Sequence, residues 1–242
     1  EIIIDRMRRE FKVEVNQGAP QVAYKETFTK NVEHREVYKK QSGGKGKFAD
    51  IVFEFGPRDD DEEGKEKKVG LQFVNNIVGG VIPREFIPAI EKGFKEAMKN
   101  GPLAGFPVDS FKVRLYHGSF HDVDSDSLSF ELAARMGFRE AGKLAGAKLL
   151  EPIMALEVLT PDEYTGPITG DLNRRRGMMK GMDTKAGSQV IKADVPLSEM
   201  FGYVTDLRTM SSGRATANLT FSHYDFVPNN IAEEVIKKEK GS

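Results

Sequence analysis

Residues 151–177 read EPIMALEVLTPDEYTGPITGDLNRRRG and set the predicted fold for the last third of the chain. The apolar run from Ile153 to Leu159 is typical of a strand, and Pro161 marks the start of a helix that extends to Arg175. The order β-α-β-β-α-β over 151–227 is that of the ferredoxin-like fold. The elements predicted to follow the first helix are two strands or one broken hairpin over 177–193, a helix over 196–208 and a strand over 215–221.

The preceding residues, 20–150, predict a separate α+β domain with its strands first and its helices on one face. Strand-like alternation from Val22 to about Tyr38 and an apolar run from Phe48 to Phe55 flank the glycine-rich stretch 41–47, which predicts a hairpin. The other predicted elements are strands over 69–74 and 111–115 and helices over 83–99 and 126–145.

Three further segments differ in character from these two domains. Residues 1–19 predict a helix and a short strand, too few to form a core. The run PRDDDEEGKEKK at 57–68 has no large apolar side chain, so we expect a solvated, mobile hairpin excursion. The tail after Pro228 has the pattern of an amphipathic helix.

Composition excludes several classes of protein. The 242 residues carry a formal net charge of -1 with 30% charged residues, so a uniformly basic nucleic-acid binder is excluded and any RNA contact must be local. Cysteine is absent, which excludes disulfide frameworks and cysteine-based zinc sites. No run approaches the roughly 18–20 apolar residues that span a bilayer.

The glycine-rich run from Gly43 to Lys47 resembles a phosphate-binding loop only superficially. A P-loop requires Ser or Thr after its lysine to hold magnesium, and here Phe48 follows Lys47. Two interpretations stay open: a plain hairpin turn, or a turn whose glycine backbone and lysines approach an RNA backbone.

The acidic spacing Asp122-x-Asp124-x-Asp126 resembles the start of a calcium loop. That template needs Gly at its sixth position and Glu at its twelfth, where this chain has Ser127 and Ala133. The motif therefore fails, and we expect Asp126 to be the N-cap or a first-turn acid of the helix that follows.

His121, beside Asp122 and Asp124, admits three interpretations. A carboxylate next to an imidazole is what general-base catalysis requires, but nothing else in the sequence completes an active site. The alternatives are an ordinary exposed loop histidine and an RNA contact, in which the ring stacks on a base or donates to phosphate.

Six stretches resemble, in the same order, the C-terminal part of bacterial translation elongation factor G. They are EIIIDRMRREFKVEVNQGAP at 1–20, QVAYKETF at 21–28, QSGGKGKF at 41–48, SFHDVDS at 119–125, EPIM at 151–154 and GDLNRRRG at 170–177. Single strings of this length recur by chance, whereas six collinear strings in one chain do not. Lys45, Lys47 and Phe48 depart from the Arg, Gln and Tyr that are common in the family, and at position 45 the planar guanidinium is lost.

The resemblance implies that 1–19 is the end of that family's third domain and that 20–150 is its fourth, with a ribosomal-protein-S5-like fold. It implies that the fourth domain is joined by a C-terminal helix at 228–240 and that 151–227 is the ferredoxin-like fifth domain. Two loops are implied to form an RNA- and ribosome-contacting tip. Their residues are Ser42, Gly43, Gly44, Lys45, Gly46 and Lys47 in one, and Ser119, Phe120, His121, Asp122, Val123 and Asp124 in the other.

Arg174, Arg175 and Arg176 close a predicted helix, where cations complement the negative end of the helix dipole. They are also a second candidate contact with ribosomal RNA or protein.

The function implied is a monomeric, cytoplasmic, ribosome-binding arm that promotes tRNA–mRNA translocation, with no membrane partner. Its partners would be the small-subunit decoding region, the large-subunit GTPase-associated centre, tRNA and mRNA. No catalytic, cofactor or metal site is expected in this chain; GTP and magnesium would bind in the G domain of the parent, which is expected to be a GTPase. The alternatives are a stand-alone RNA-processing enzyme that uses His121, or the arm of a related ribosomal GTPase such as a tetracycline-protection, back-translocating or recycling factor.

Overall fold

The structure, a computed structural model, describes residues 22–60, 63, 65 and 68–241 and divides them into two compact units. The first unit contains 25–149 and 227–241, and the second contains 22–24 and Leu150–Phe226. The segment expected to end a preceding domain, 1–19, lies outside the described residues.

The first unit contains a four-stranded sheet of mixed direction with helices packed on it, and a short strand that precedes the sheet in sequence and is not part of it. Its elements are β1 (Lys25–Thr27), β2 (Val32–Ser42), β3 (Lys45–Gly56), β4 (Gly70–Asn75), α1 (Ile87–Ala97), β5 (Ser110–Ser119) and α2 (Ser127–Leu144). The sheet order is β2-β3-β5-β4; β4 runs parallel to β5, and the other neighbours are antiparallel.

Two expectations for this unit need correction. The continuous strand predicted from Val22 to Tyr38 is broken into β1 and β2. The segment 57–68 is not a hairpin excursion, because β5 lies between β3 and β4. A connection between non-adjacent strands looks like a hairpin in sequence, since strand pairing is set by tertiary contacts.

The first residues of this connection are also more ordered than predicted. The Asp59 carboxylate accepts hydrogen bonds from Lys112 Nζ at 2.8 and 3.0 Å and from Gln72 Nε2 at 3.0 Å. Polar side chains thus fix the start of a segment that has no large apolar side chain to bury.

Aromatic side chains fill the core of the first unit. Phe28, Phe55, Phe111 and Phe138 are buried and meet edge to face or tilted, with ring centroids 4.8–6.3 Å apart. This geometry is favourable for aromatic pairs. The prediction that Asp126 caps α2 is confirmed, since its carboxylate accepts the Ser129 N–H at 2.7 Å.

The second unit has the predicted ferredoxin-like order. Its elements are β6 (Lys148–Pro161, whose first two residues belong to the first unit), α3 (Thr165–Arg174), β7 (Met178–Lys185), β8 (Ser188–Pro196), α4 (Tyr203–Met210) and β9 (Thr216–Phe226). The strand order β9-β6-β8-β7 is antiparallel throughout. The α+β class and this element order are therefore confirmed.

Two boundaries in the second unit differ from the prediction. The strand predicted from Ile153 begins earlier, at Lys148, and runs through Pro152, which pairs with Tyr224 of β9. The helix predicted from Pro196 begins at Tyr203; a 3₁₀ turn and Gly202, at φ 78°, precede it. The chain ends in α5 (Asn229–Lys240), which groups with the first unit.

Candidate nucleic-acid interface

The β2–β3 hairpin ends in a two-residue turn. Ser42 pairs with Lys45, and between them Gly43 and Gly44 have φ of 58° and 96°. Positive φ at both central residues is typical of the hairpin turns that favour glycine. The predicted loop 41–47 is therefore correctly placed. Its residues are strand-paired on both sides of the two glycines, so the two strands of the hairpin extend right up to the turn.

The second predicted loop, 119–125, packs against the base of this turn. The Phe48 N–H donates to the Asp124 carbonyl at 2.9 Å, and the Ser125 hydroxyl donates to the Phe48 carbonyl at 2.7 Å. A Cβ at Gly46 would lie 2.8 Å from a carboxylate oxygen of Asp124, so a larger residue there would have to displace the Asp124 side chain. The structure thus brings together the two segments that the sequence analysis selected separately.

His121 stacks on Phe48. The two ring centroids are 3.8 Å apart and the planes differ by 1°, while His121 as a residue stays exposed. Within the described residues, no carboxylate lies within hydrogen-bond distance of the imidazole. An acid–base pair of His121 with Asp122 or Asp124 is therefore not assembled, and the geometry favours a ring presented for contact.

The charges at this end of the first unit are mixed. Lys47 forms an ion pair with Asp126. Burial alone would raise the pKa of Asp126, but hydrogen bonds from Lys47 and Ser129 lower it overall. Lys45, by contrast, is exposed and forms no ion pair with any residue that the structure describes. The exposed Asp122 would repel phosphate. A phosphate contact at this tip is therefore expected at Lys45 and not across the whole surface.

The apolar side chain of Val123 also projects here. It is 90% exposed, the highest value among the exposed large apolar residues of the described chain. The tip therefore offers one cation, one aromatic platform and one apolar side chain at neighbouring positions.

A buried carboxylate, paired with an exposed arginine, supports the base of the tip, and the sequence analysis missed it. Asp50 accepts hydrogen bonds from Arg35 at 2.9 and 2.8 Å and from the Ser119 hydroxyl at 2.6 Å. Burial alone would raise the pKa of Asp50, but these bonds lower it overall. One carboxylate thereby joins β2, β3 and β5 where the second tip loop begins. The available signal was an aspartate inside the apolar run from Phe48 to Phe55.

The three consecutive arginines of the second unit have different surroundings. Arg175 donates to Asp171, to the Glu199 carbonyl and to Asp206, and Arg176 forms two 2.9 Å hydrogen bonds with the buried Glu151. Arg174 is 78% exposed and bonds only Asp171 within the described part of the chain. Two of the three side chains are therefore committed to internal ion pairs, and Arg174 alone projects.

Over 22–60, 63, 65 and 68–241, no cluster of three or more His, Asp or Glu side chains is placed to hold a metal ion. In the same part of the chain, no helix is long and apolar enough to cross a membrane.

Comparison with known proteins identifies both units. The family "Elongation factor G, domain IV" matches residues 20–146, and "Elongation factor G C-terminus" matches 148–235. The elongation factor G of Cytophaga hutchinsonii is 77% identical over the whole chain, which covers 34% of that protein. The elongation factor G of Amoebophilus asiaticus is 69% identical, again over the whole chain and 33% of its own length.

A solved structure of a Thermus thermophilus protein is also similar. It superposes with a TM-score of 0.80 at 39% identity and covers 92% of this chain and 32% of its own. The chain thus spans about a third of the length of the relatives it matches. Since domain matches, sequence identity and fold agree along the chain, it belongs to the elongation factor G family, of which it carries domain IV and the C-terminal region.

Proposed function

We propose that this chain is the ribosome-contacting arm of a translational GTPase and promotes tRNA–mRNA translocation. The observation that carries the proposal is the joining of the two tip segments: the loop carrying His121 packs on the glycine hairpin at one exposed end of a rigid sheet. Family membership supplies the context of translation. GTP and magnesium would bind in the G domain of the parent.

The mechanism is steric and electrostatic. The paired hairpin holds its turn away from the body of the first unit, and Asp50 fixes the strand from which the second loop departs. Lys45 would approach a phosphate, and the exposed His121 ring, backed by Phe48, would stack on a base or donate to phosphate. The partners we propose are the small-subunit decoding region, tRNA and mRNA for this tip, and the large-subunit GTPase-associated centre for the second unit, with Arg174 as its exposed cation.

The test is rapid-kinetic translocation by the full-length protein that carries this chain. We expect His121→Ala to lower the translocation rate by about tenfold, because one stacking contact is worth roughly 1–3 kcal/mol. Lys45→Ala should also lower the rate, and its effect should weaken as salt is raised. His223→Ala is the matched control, since His223 is an exposed histidine of the second unit.

A wild-type rate for both tip variants would overturn the proposal. Cleavage of RNA by the isolated chain, lost in His121→Ala, would instead support the RNA-processing alternative.

A further inference from the structure

A groove in the first unit arises because α1 is shorter than α2. The two helices lie side by side: Phe86 stacks on Phe130 at 5.0 Å, and a Cβ at Gly93 would lie 2.7 Å from that of Ala134. α1 ends at Ala97, whereas α2 continues to Leu144. Beyond the end of α1, the second half of α2 faces a loop, and a cavity of about 420 Å³ lies there.

The groove has an apolar floor and a cationic rim. Ala97, Pro102 and the buried Phe138 supply apolar surface. The rim cations lie on α2 with a spacing of four residues, which puts successive side chains roughly 6 Å apart along one helix face. They are Arg135, Arg139 and Lys143.

Two of these cations are available to a ligand. Lys143 bonds Glu140 at 3.3 Å, and the one carboxylate in the groove lining, Glu96, bonds Lys99 at 3.0 Å. Arg135 and Arg139 are exposed and form no ion pair with any described residue. The groove therefore carries a net positive charge that its own neighbours do not neutralise.

The wall opposite α2 is held in place without a ligand. The carboxylate of Glu26 is fully buried and accepts backbone N–H groups from Leu103 at 2.7 Å, Ala104 at 3.1 Å and Phe106 at 2.9 Å. A Cβ at Gly101 would lie 2.3 Å from the same carboxylate. The loop that closes the groove is thus fixed from beneath, so binding would cost little ordering of the backbone.

We propose that this groove binds the phosphodiester backbone of structured RNA. The row of cations at regular spacing matches an anion that repeats along a strand, guanidinium forks suit phosphate oxygens, and the apolar floor suits the ribose between phosphates. The inference deepens the proposed function, on which it rests. It gives the first unit a second RNA contact besides the tip, one that does not depend on the base sequence.

The experiment measures the salt dependence of binding. The labelled chain is titrated with ribosomes and, separately, with a short RNA duplex at several salt concentrations. Each phosphate contact contributes about one unit to the slope of log K against log salt, so Arg135→Gln/Arg139→Gln should reduce the slope by about two for both ligands. We expect binding at ~0.1 M salt to weaken by roughly tenfold to a hundredfold.

Two double variants serve as controls. Arg135→Lys/Arg139→Lys keeps both charges and should keep the wild-type slope. Arg208→Gln/Lys238→Gln removes two exposed cations that form no ion pair within the described chain and lie outside the groove, and it should leave the slope unchanged.

The outcomes separate this inference from the proposed function. If the unmodified chain binds ribosomes but the groove variant keeps the full slope, the groove inference is wrong and the proposed function stands. If the unmodified chain fails to bind ribosomes while the groove variant loses slope on the duplex, the proposed function fails and the RNA site stands. If the groove variant lowers the salt slope for ribosomes but leaves the slope for the duplex unchanged, the groove binds an acidic protein segment, and the RNA proposal is overturned.

Discussion

At the scale of single residues, the stacked Phe48 and His121 rings connect the hairpin to the second loop. An aromatic pair of this kind contributes about 0.5–1.5 kcal/mol beyond its buried area. His121 therefore also takes part in packing within the first unit, so its removal should cost a little stability in addition to the RNA contact proposed above.

We expect Phe48→Ala and His121→Ala to be coupled in a double-mutant cycle. Each should lower the free energy of unfolding by about 0.5–1.5 kcal/mol, and the double variant should lose less than the sum, because the second substitution removes a contact already lost. Denaturant unfolding of the isolated chain measures this. Phe48→Tyr, which keeps a ring at that position, should keep nearly the wild-type stability, and additive effects of Phe48→Ala and His121→Ala would show that the stack contributes nothing.

The buried Asp50 predicts a dependence of stability on pH. Because its pKa is lowered in the folded chain, the ionised carboxylate stabilises the fold above the unfolded pKa of about 3.9, and this contribution is lost as the pH falls through the folded value. Asp50→Asn should therefore reduce the free energy of unfolding by about 1–3 kcal/mol near pH 7, and by progressively less below about pH 4.

The measurement is urea unfolding of both proteins between pH 3 and 7. Asp183→Asn is the control, since its side chain is 68% exposed and its lysine partner is 4.0 Å away. If Asp50→Asn lowers the free energy of unfolding by the same amount at every pH, the ionised Asp50 carboxylate is not the source of the stabilisation.

At the scale of elements, the connection between β3 and β4 divides into an anchored start and a charged remainder. Replacing 60–67 by a Gly/Ser sequence of equal length should leave the melting temperature nearly unchanged. Asp59→Ala should lower it by about 2–4 °C, because three hydrogen bonds to β4 and β5 are lost from a partly screened site. Thermal melts of the two variants test this, and the reverse ranking would show that the charged run, not Asp59, holds the connection.

The elements that sequence alone could predict are those with their own periodicity or cap. The α2 helix with its Asp126 cap and the glycine turn of the hairpin are local features, so residue type was sufficient. The position of β5 between β3 and β4 depends on which strands meet in space, and no local pattern records it.

The candidate tip shows the same division. Its two loops could be chosen from resemblance and from their polar, glycine-rich composition. The two loops pack together through the Asp124 carbonyl, and Asp50 supports them. Both contacts join residues that are far apart in the chain, so only the folded structure shows them. The continuation of β6 through Pro152 was missed for a related reason, since it depends on pairing with Tyr224 of β9, a residue far along the chain.

At the scale of the whole molecule, the first unit is discontinuous in sequence, since 25–149 and 227–241 belong together. Val227 is buried and its N–H donates to the Leu149 carbonyl at 3.0 Å. Truncation after Phe226 should therefore destabilise the first unit by about 1.5–3 kcal/mol, the value of one buried apolar side chain.

Hydrogen exchange of the truncated chain, followed by mass spectrometry, locates the effect. Amide protection should fall in the core strands of the first unit and stay unchanged in α3 and β8 of the second. Removal of 238–242 alone is the control and should change neither. Equal loss of protection in both units would contradict the division.

The same discontinuity sets an order of events during biosynthesis. When Leu149 leaves the ribosome, the first unit still lacks α5, and the whole of Leu150–Phe226 must be translated before that helix emerges. At about 5–20 residues per second, this delay lasts roughly 4–15 s, far longer than a helix or hairpin needs to form. The nascent first unit therefore waits without Val227 and α5, and of the two described units the one begun first is the last to be completed.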